Sequence, residues 1–168
     1  MTVAELLADG FSRVHGVVHE VVDGLSADQL AFRPRPEANS IGWLIWHLTR
    51  VQDDHVADVA GTGQAWLADG WAGRFCLPFD DRATGWSHTV AEAGAFRVAE
   101  GGLLTGYHDA VYARTLAYVR TLTEHDLDRV VDTRWDPPVT LGVRLVSVID
   151  DDAQHAGQAA YLRGLIAA

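Results

Sequence analysis

The chain has 168 residues, 48% of them hydrophobic, with a single cysteine and a formal net charge of -10. That length suits one domain with its own core, and lone Cys76 excludes both an intrachain disulfide and a thiolate metal cluster. The acidic balance, in which all fixed positive charge is arginine, lacks the field that nucleic acid or an anionic membrane requires of a partner.

The first helix opens at Thr2-Val-Ala-Glu5, a capping box in which two side chains satisfy free backbone amides reciprocally. Leu7, Phe11, Val14, Val18, Val21 and Leu25 follow on one apolar stripe. This polar start is not a basic and then apolar leader, and no apolar run reaches the roughly 20 residues of a bilayer span, so the cytoplasm is the expected location. Ser26-Ala-Asp-Gln29 predicts a short capped turn. A second long helix is predicted from about 40 to 60, with Asn39 or Ser40 as cap, Ile41, Ile45, Leu48 and Val59 facing inward, and Gly61-Thr-Gly63 as its stop.

The connection from 61 to about 87 is long for a bundle and carries Trp66, Trp71, Phe75, Phe79 and Trp86. It forms either a lid over a site or local helices that cap the core. Thr89-Val-Ala-Glu92 and Thr123-Glu-His-Asp126 repeat the capping-box spacing on either side of a third long helix, roughly 101 to 122, with Leu104, Tyr107, Val111, Tyr118 and Leu122 on one side. Strand character is confined to 129–135. After Pro137-Pro138 a fourth helix begins near Thr140 and runs almost to the C-terminus. Four long amphipathic helices without a βαβ rhythm predict an all-α four-helix bundle with short additional helices, one domain over 1–168.

The fourth helix carries the chemistry. His155 shares a stripe with Val148, Ala159, Leu162 and Ile166, and Asp151 stands four residues before it. At about 100° per residue the pair projects from one side of the helix, about 40° apart. Asp152 is also a neighbour of His155, at i, i+3. A carboxylate on a half-buried face is costly without a cation, and a metal also explains the adjacent imidazole. His47, flanked by Leu44 and Val51, offers a third ligand from the second helix; His55 lies nearer the centre of that helix's apolar face and competes with it. A hydrogen-bonded core histidine beside a solvated acidic patch is the plain alternative. His15 and His19 also have i, i+4 spacing, at the edge of their stripe. His108 is expected to be a packed core residue, and His88 and His125 to lie in loops.

The segments NSIGWLIWHLTRVQDDHV (39–56) and IDDDAQHAGQAAYLRGL (149–165) resemble the DinB/YfiT-like superfamily of four-helix metalloproteins, in the branch related to mycothiol-dependent maleylpyruvate isomerase. The resemblance implies one histidine ligand on the second helix, matching His47. It also implies a His-or-Glu-x-x-x-His pair on the fourth, matching Asp151 and His155 with Gly157-Gln158 behind. Asp151 is a methylene shorter than Glu, so the ion lies closer to the fourth helix, or water intervenes, or Asp152 substitutes. The isomerase itself is larger, with a further C-terminal domain for which this chain has no room.

What the resemblance implies is a divalent metal, zinc or nickel before iron or manganese, held by His47, Asp151 and His155 with positions open to water or substrate. Such an ion activates the thiolate of a low-molecular-weight thiol such as mycothiol toward a small electrophile, as an S-transferase or a thiol-assisted isomerase. Arg50, one turn after His47, is the expected contact for an anionic substrate or the thiol cofactor, with a surface ion pair as the alternative. Trp43 and Trp46 line the pocket, pack in the core or meet a second subunit, since a homodimer is expected. Two other functions stay open: hydrolysis by a metal-bound water with a neighbouring Asp as base, and a non-enzymatic metal-binding stress-response module. Non-haem iron oxygen chemistry ranks below both.

Overall fold

A computed structural model describes residues 1–167, so only the last residue of the expected domain span lies outside it. Its long helices are α1 (Val3–Val22), α3 (Ile41–Ala60), α7 (Gly101–Val119) and α8 (Leu141–Ala167). Between them lie the short helices α2 (Ala27–Ala31), α4 (Ala65–Ala68), α5 (Trp71–Phe75) and α6 (Val90–Ala95). α1 packs on α7 and α8, and α3 packs on the same two. That arrangement makes an all-α four-helix bundle, with α1 and α3 on one diagonal and α7 and α8 on the other. No helix among the described residues is long and apolar enough to cross a membrane.

Three of the four capping boxes form in full, and the fourth in one direction. Thr2 accepts from the Glu5 amide at 3.1 Å while Glu5 accepts from the Thr2 amide at 2.7 Å, and the same reciprocity opens α2 and α6; at the 3₁₀ turn Glu124–Asp128 the Thr123 amide and hydroxyl both donate to Asp126, at 2.7 and 2.6 Å. Each such cap is worth about 1 kcal/mol. α1 stops at Val22, before Leu25, which nonetheless packs on the core from the turn. α7 stops at Val119, three residues short of the predicted end at Leu122. The strand signal becomes a small hairpin, with β1 (Val130–Asp132) antiparallel to β2 (Val139–Thr140).

α3 departs most from expectation. Instead of one apolar stripe, every residue from Ile41 to Arg50 is buried. The cause is the long connection, which folds around the outer face of α3. Trp66, Phe75, Phe96 and Val98 join the same core cluster as Trp43 and Trp46. A helix covered on all sides can afford no solvated face over that length. The connection therefore caps the core with local helices, and its Thr84–His88 stretch approaches Trp43 and His47 of α3.

Candidate metal centre

α3 and α8 are direct neighbours, and they bring His47 of α3 against Asp151 and His155 of α8. One donor atom from each residue lies within 4.8 Å of the other two. The two imidazoles meet edge to face with centroids 4.8 Å apart. His47 Nδ1 lies 2.6 Å from the Thr84 carbonyl oxygen, and His155 Nδ1 lies 2.8 Å from the Asp151 carbonyl oxygen. A carbonyl only accepts, so each Nδ1 carries a hydrogen, the tautomer that leaves Nε2 as the ligating nitrogen when the ring is neutral. Outer hydrogen bonds of this kind set the tautomer of metal-binding histidines.

Two further observations fit a cation. Asp151 Oδ2 is buried with no hydrogen-bond partner, a lone-pair-rich atom that a positive ion would satisfy. Burial lowers the pKa of His47, the Thr84 contact opposing and neighbouring His155 assisting, so the ring is neutral at pH 7. Neutral imidazoles and one carboxylate suit zinc, nickel or iron(II).

The three consecutive acids separate by environment. Asp150 is exposed and accepts from Gln154 at 2.7 Å, while Asp151 joins the two histidines. Asp152 is fully buried, and neither of its oxygens has a partner. Burial, and then the nearby Asp151, push its pKa well above the ordinary range, so it persists as the neutral acid and is absent from the convergent group. His55, the competing histidine, receives a hydrogen bond from Arg144 Nη1 at 2.7 Å on its Nδ1 and stands outside the group. His88 accepts from Trp43 Nε1 at 3.2 Å and packs between Phe79 and Trp46.

The Thr84–Gly85 turn is what aims His47. Gly85 has φ +92°, and a Cβ there would stand 2.6 Å from His47 Nδ1 and 3.0 Å from Trp43. Only glycine allows both the backbone conformation and the approach. Gly85→Ala is therefore expected to lower the melting temperature and to weaken metal affinity by roughly 10- to 100-fold, the usual effect of losing an outer-shell partner. Chelator-competition titration and a thermal melt check the two effects separately.

A cavity of about 600 Å³ opens beside the centre, with His47, Asp151, Val143, Arg144, Trp86 and Trp135 in its wall. Trp86 is 83% exposed and Trp135 65%. Both are large aromatics left in water in the wall of one cavity, an arrangement that suits an apolar ligand. Asp132 at the hairpin takes two hydrogen bonds from the Arg134 side chain, at 3.0 and 2.8 Å, and one from Arg144 at 2.9 Å. Those bonds, Arg134 foremost, hold its carboxyl far below the usual carboxylate range.

A family model described as mycothiol-S-transferase matches residues 6–168. The chain belongs to the mycothiol S-transferase family. That membership agrees with the DinB/YfiT-like resemblance carried by the second and fourth long helices. The crystal structure of a conserved protein from Enterococcus faecalis superposes with a TM-score of 0.91 at 36% identity, covering 97% of this chain and 96% of that one. A comparison with curated proteins gave no match.

Within this mycothiol S-transferase family member, Arg50 is not the ligand contact the sequence suggested. It is 0% exposed. Its guanidinium donates to the Ala83 carbonyl at 3.0 Å and to Gln64 at 2.9 Å, lies 3.7 Å from Asp53, and sits 5.1 Å over the Trp66 ring. Asp53 in turn accepts from the Ala65 and Trp66 amides at 2.9 and 2.8 Å, which holds the start of α4. Arg50 therefore anchors the connection whose Thr84 orients His47. Trp43 and Trp46 are core residues, with Trp43 stacked on His47 at 4.7 Å. Exposed Cys76 lies outside the centre. Thr84, Gly85, Trp135 and Arg144 escaped the sequence analysis. Gly85-Trp86 was the sole local hint, because the others reach the site through packing.

Proposed function

We propose that the chain is a metal-dependent transferase that joins a low-molecular-weight thiol, of the mycothiol kind, to a small electrophile. His47, Asp151 and His155 hold a divalent ion, zinc or nickel by preference. The observation that supports this is the approach of one donor atom each from His47, Asp151 and His155 to within 4.8 Å of one another, with Asp151 Oδ2 unpartnered and His47 and Asp151 in the wall of a tryptophan-lined cavity. A divalent ion held there lowers the pKa of a thiol so that the thiolate persists near neutral pH.

The chain's own groups do the positioning. The Thr84 and Asp151 carbonyls hold the Nδ1 hydrogens and the remaining ring nitrogens would be taken up by the ion, so neither imidazole would remove the thiol proton, which leaves through the open cavity mouth to solvent. Trp86 and Trp135 shelter the apolar body of the electrophile, and Arg144 is held in place by Asp132 and His55. The sulfur supplies the electron pair of the new S–C bond; a halide departs with the pair of the broken bond, whereas an epoxide oxygen keeps that pair and takes a proton from solvent. No protein nucleophile takes part, which fits the remote Cys76.

The test is consumption of a small aryl halide or epoxide by zinc-loaded protein, with and without mycothiol, glutathione or cysteine. Consumption is expected only when both thiol and ion are present. Equal turnover without thiol would show hydrolysis by bound water instead and would overturn the proposal.

A further inference from the structure

The α1–α7 side of the bundle, opposite the α3–α8 centre, carries a second convergence. His15 and His19, four apart on α1, both place Nε2 against the same oxygen of Asp109 on α7, at 2.8 and 2.7 Å. Their ring centroids lie 4.6 Å apart, and one donor atom from each of the three residues lies within 4.8 Å of the others. The His15 ring is held rigidly. Tyr112 stacks on it at 4.1 Å and His108 at 5.6 Å. Ser12 gives its hydrogen to the Ala8 carbonyl and so receives that of Tyr112, at 2.7 Å. His108 likewise donates from Nδ1 to Thr49, whose hydroxyl is given to Ile45, and its buried Nε2 has no partner.

We propose that His15, His19 and Asp109 form a second divalent-cation site, separate from the α3–α8 centre, that takes late first-row ions of the zinc class and clamps α1 to α7. Two imidazoles with one carboxylate select such ions over magnesium or calcium, which prefer all-oxygen shells. Zinc bonds of 2.0–2.1 Å in a tetrahedron separate ligands by about 3.3 Å, so the observed contacts need to open by only about half an ångström. The donors stand on two rigid helices, which holds that geometry better than loops do. All three side chains are partly exposed, leaving coordination positions to water. Sequence alone offered only the His15–His19 spacing. Asp109, which completes the set, comes from a helix ninety residues away.

Zinc titration of the metal-stripped full chain tests this site apart from the first. The wild type is expected to bind two equivalents, the pair His15→Ala/His19→Ala one, the pair His47→Ala/His155→Ala one, and the fourfold variant none. In the His47→Ala/His155→Ala background, saturating zinc raises the melting temperature. Adding Asp109→Asn, or His15→Ala/His19→Ala, abolishes that rise, and magnesium never produces it. Circular dichroism without metal shows whether each variant folds, and Asp109→Asn changes no volume if the histidine pair proves disruptive. The proposal is overturned if the His47→Ala/His155→Ala protein binds no zinc, or if its zinc survives both Asp109→Asn and His15→Ala/His19→Ala. Loss of one equivalent with His15→Ala/His19→Ala but none with His47→Ala/His155→Ala would sink the α3–α8 assignment and leave this one standing.

Discussion

Replacing His155 with alanine is expected to remove the ion from the α3–α8 centre and to cut thiol transfer by about 10³-fold or more. Only His47 and Asp151 would remain as protein ligands, on two different helices. Lewis-acid activation is worth several kcal/mol, and about 4 kcal/mol corresponds to three decades in rate. His155 is only partly buried and its Nδ1 bonds within its own helical turn, so the variant should melt close to the metal-free wild type. Metal content is best measured in the His15→Ala/His19→Ala background, where a second bound ion cannot mask the loss. Asp151→Asn should lose the ion as well, because the amide keeps the shape of the carboxylate and gives up its charge. Full retention of metal and rate by both variants would end the assignment of this centre.

Asp151 and Asp152 show how far the sequence reaches. Relative to His155 they lie about 40° to one flank and 60° to the other of the same helix face. Periodicity places both beside the imidazole and cannot choose between them. The choice comes from packing: one flank meets His47 on α3, and the other is sealed into the core, where Asp152 remains protonated. The capping boxes were legible because they are local, each closing within four residues. The stripe on α3 misled for the opposite reason. Its outer face is buried by a connection that starts after the helix ends, and Arg50 went inside with it. Thr84 matters through its backbone carbonyl, which any residue type supplies, so no side-chain pattern could have marked it.

His108 supports a second large effect, on acid stability. It is fully buried, and that burial, reinforced by nearby His15, lowers its pKa from 6.5 to about 3. The folded protein therefore resists protonation where the unfolded chain accepts it. The stabilisation is complete above pH 6.5 and is lost as the pH falls toward 3, at about 1.4 kcal/mol per pH unit. Over that interval the loss is on the order of 4–5 kcal/mol, a large part of the 5–15 kcal/mol that holds a typical domain together. His108→Asn keeps an N–H for Thr49, which accepts from His108 at 3.1 Å, and removes the titration. At pH 7 the variant should be less stable by about 1–2 kcal/mol, because the smaller side chain leaves a void. Urea melts of metal-free protein between pH 3 and 7 should then show a shallower acid limb for the variant, with the two curves crossing at roughly pH 5. Every surface carboxylate contributes equally to both proteins, so the difference in slope isolates the buried ring. Parallel limbs would mean that water reaches His108 in the folded state, and the burial that makes it a pH-sensitive element of the core would have to be abandoned.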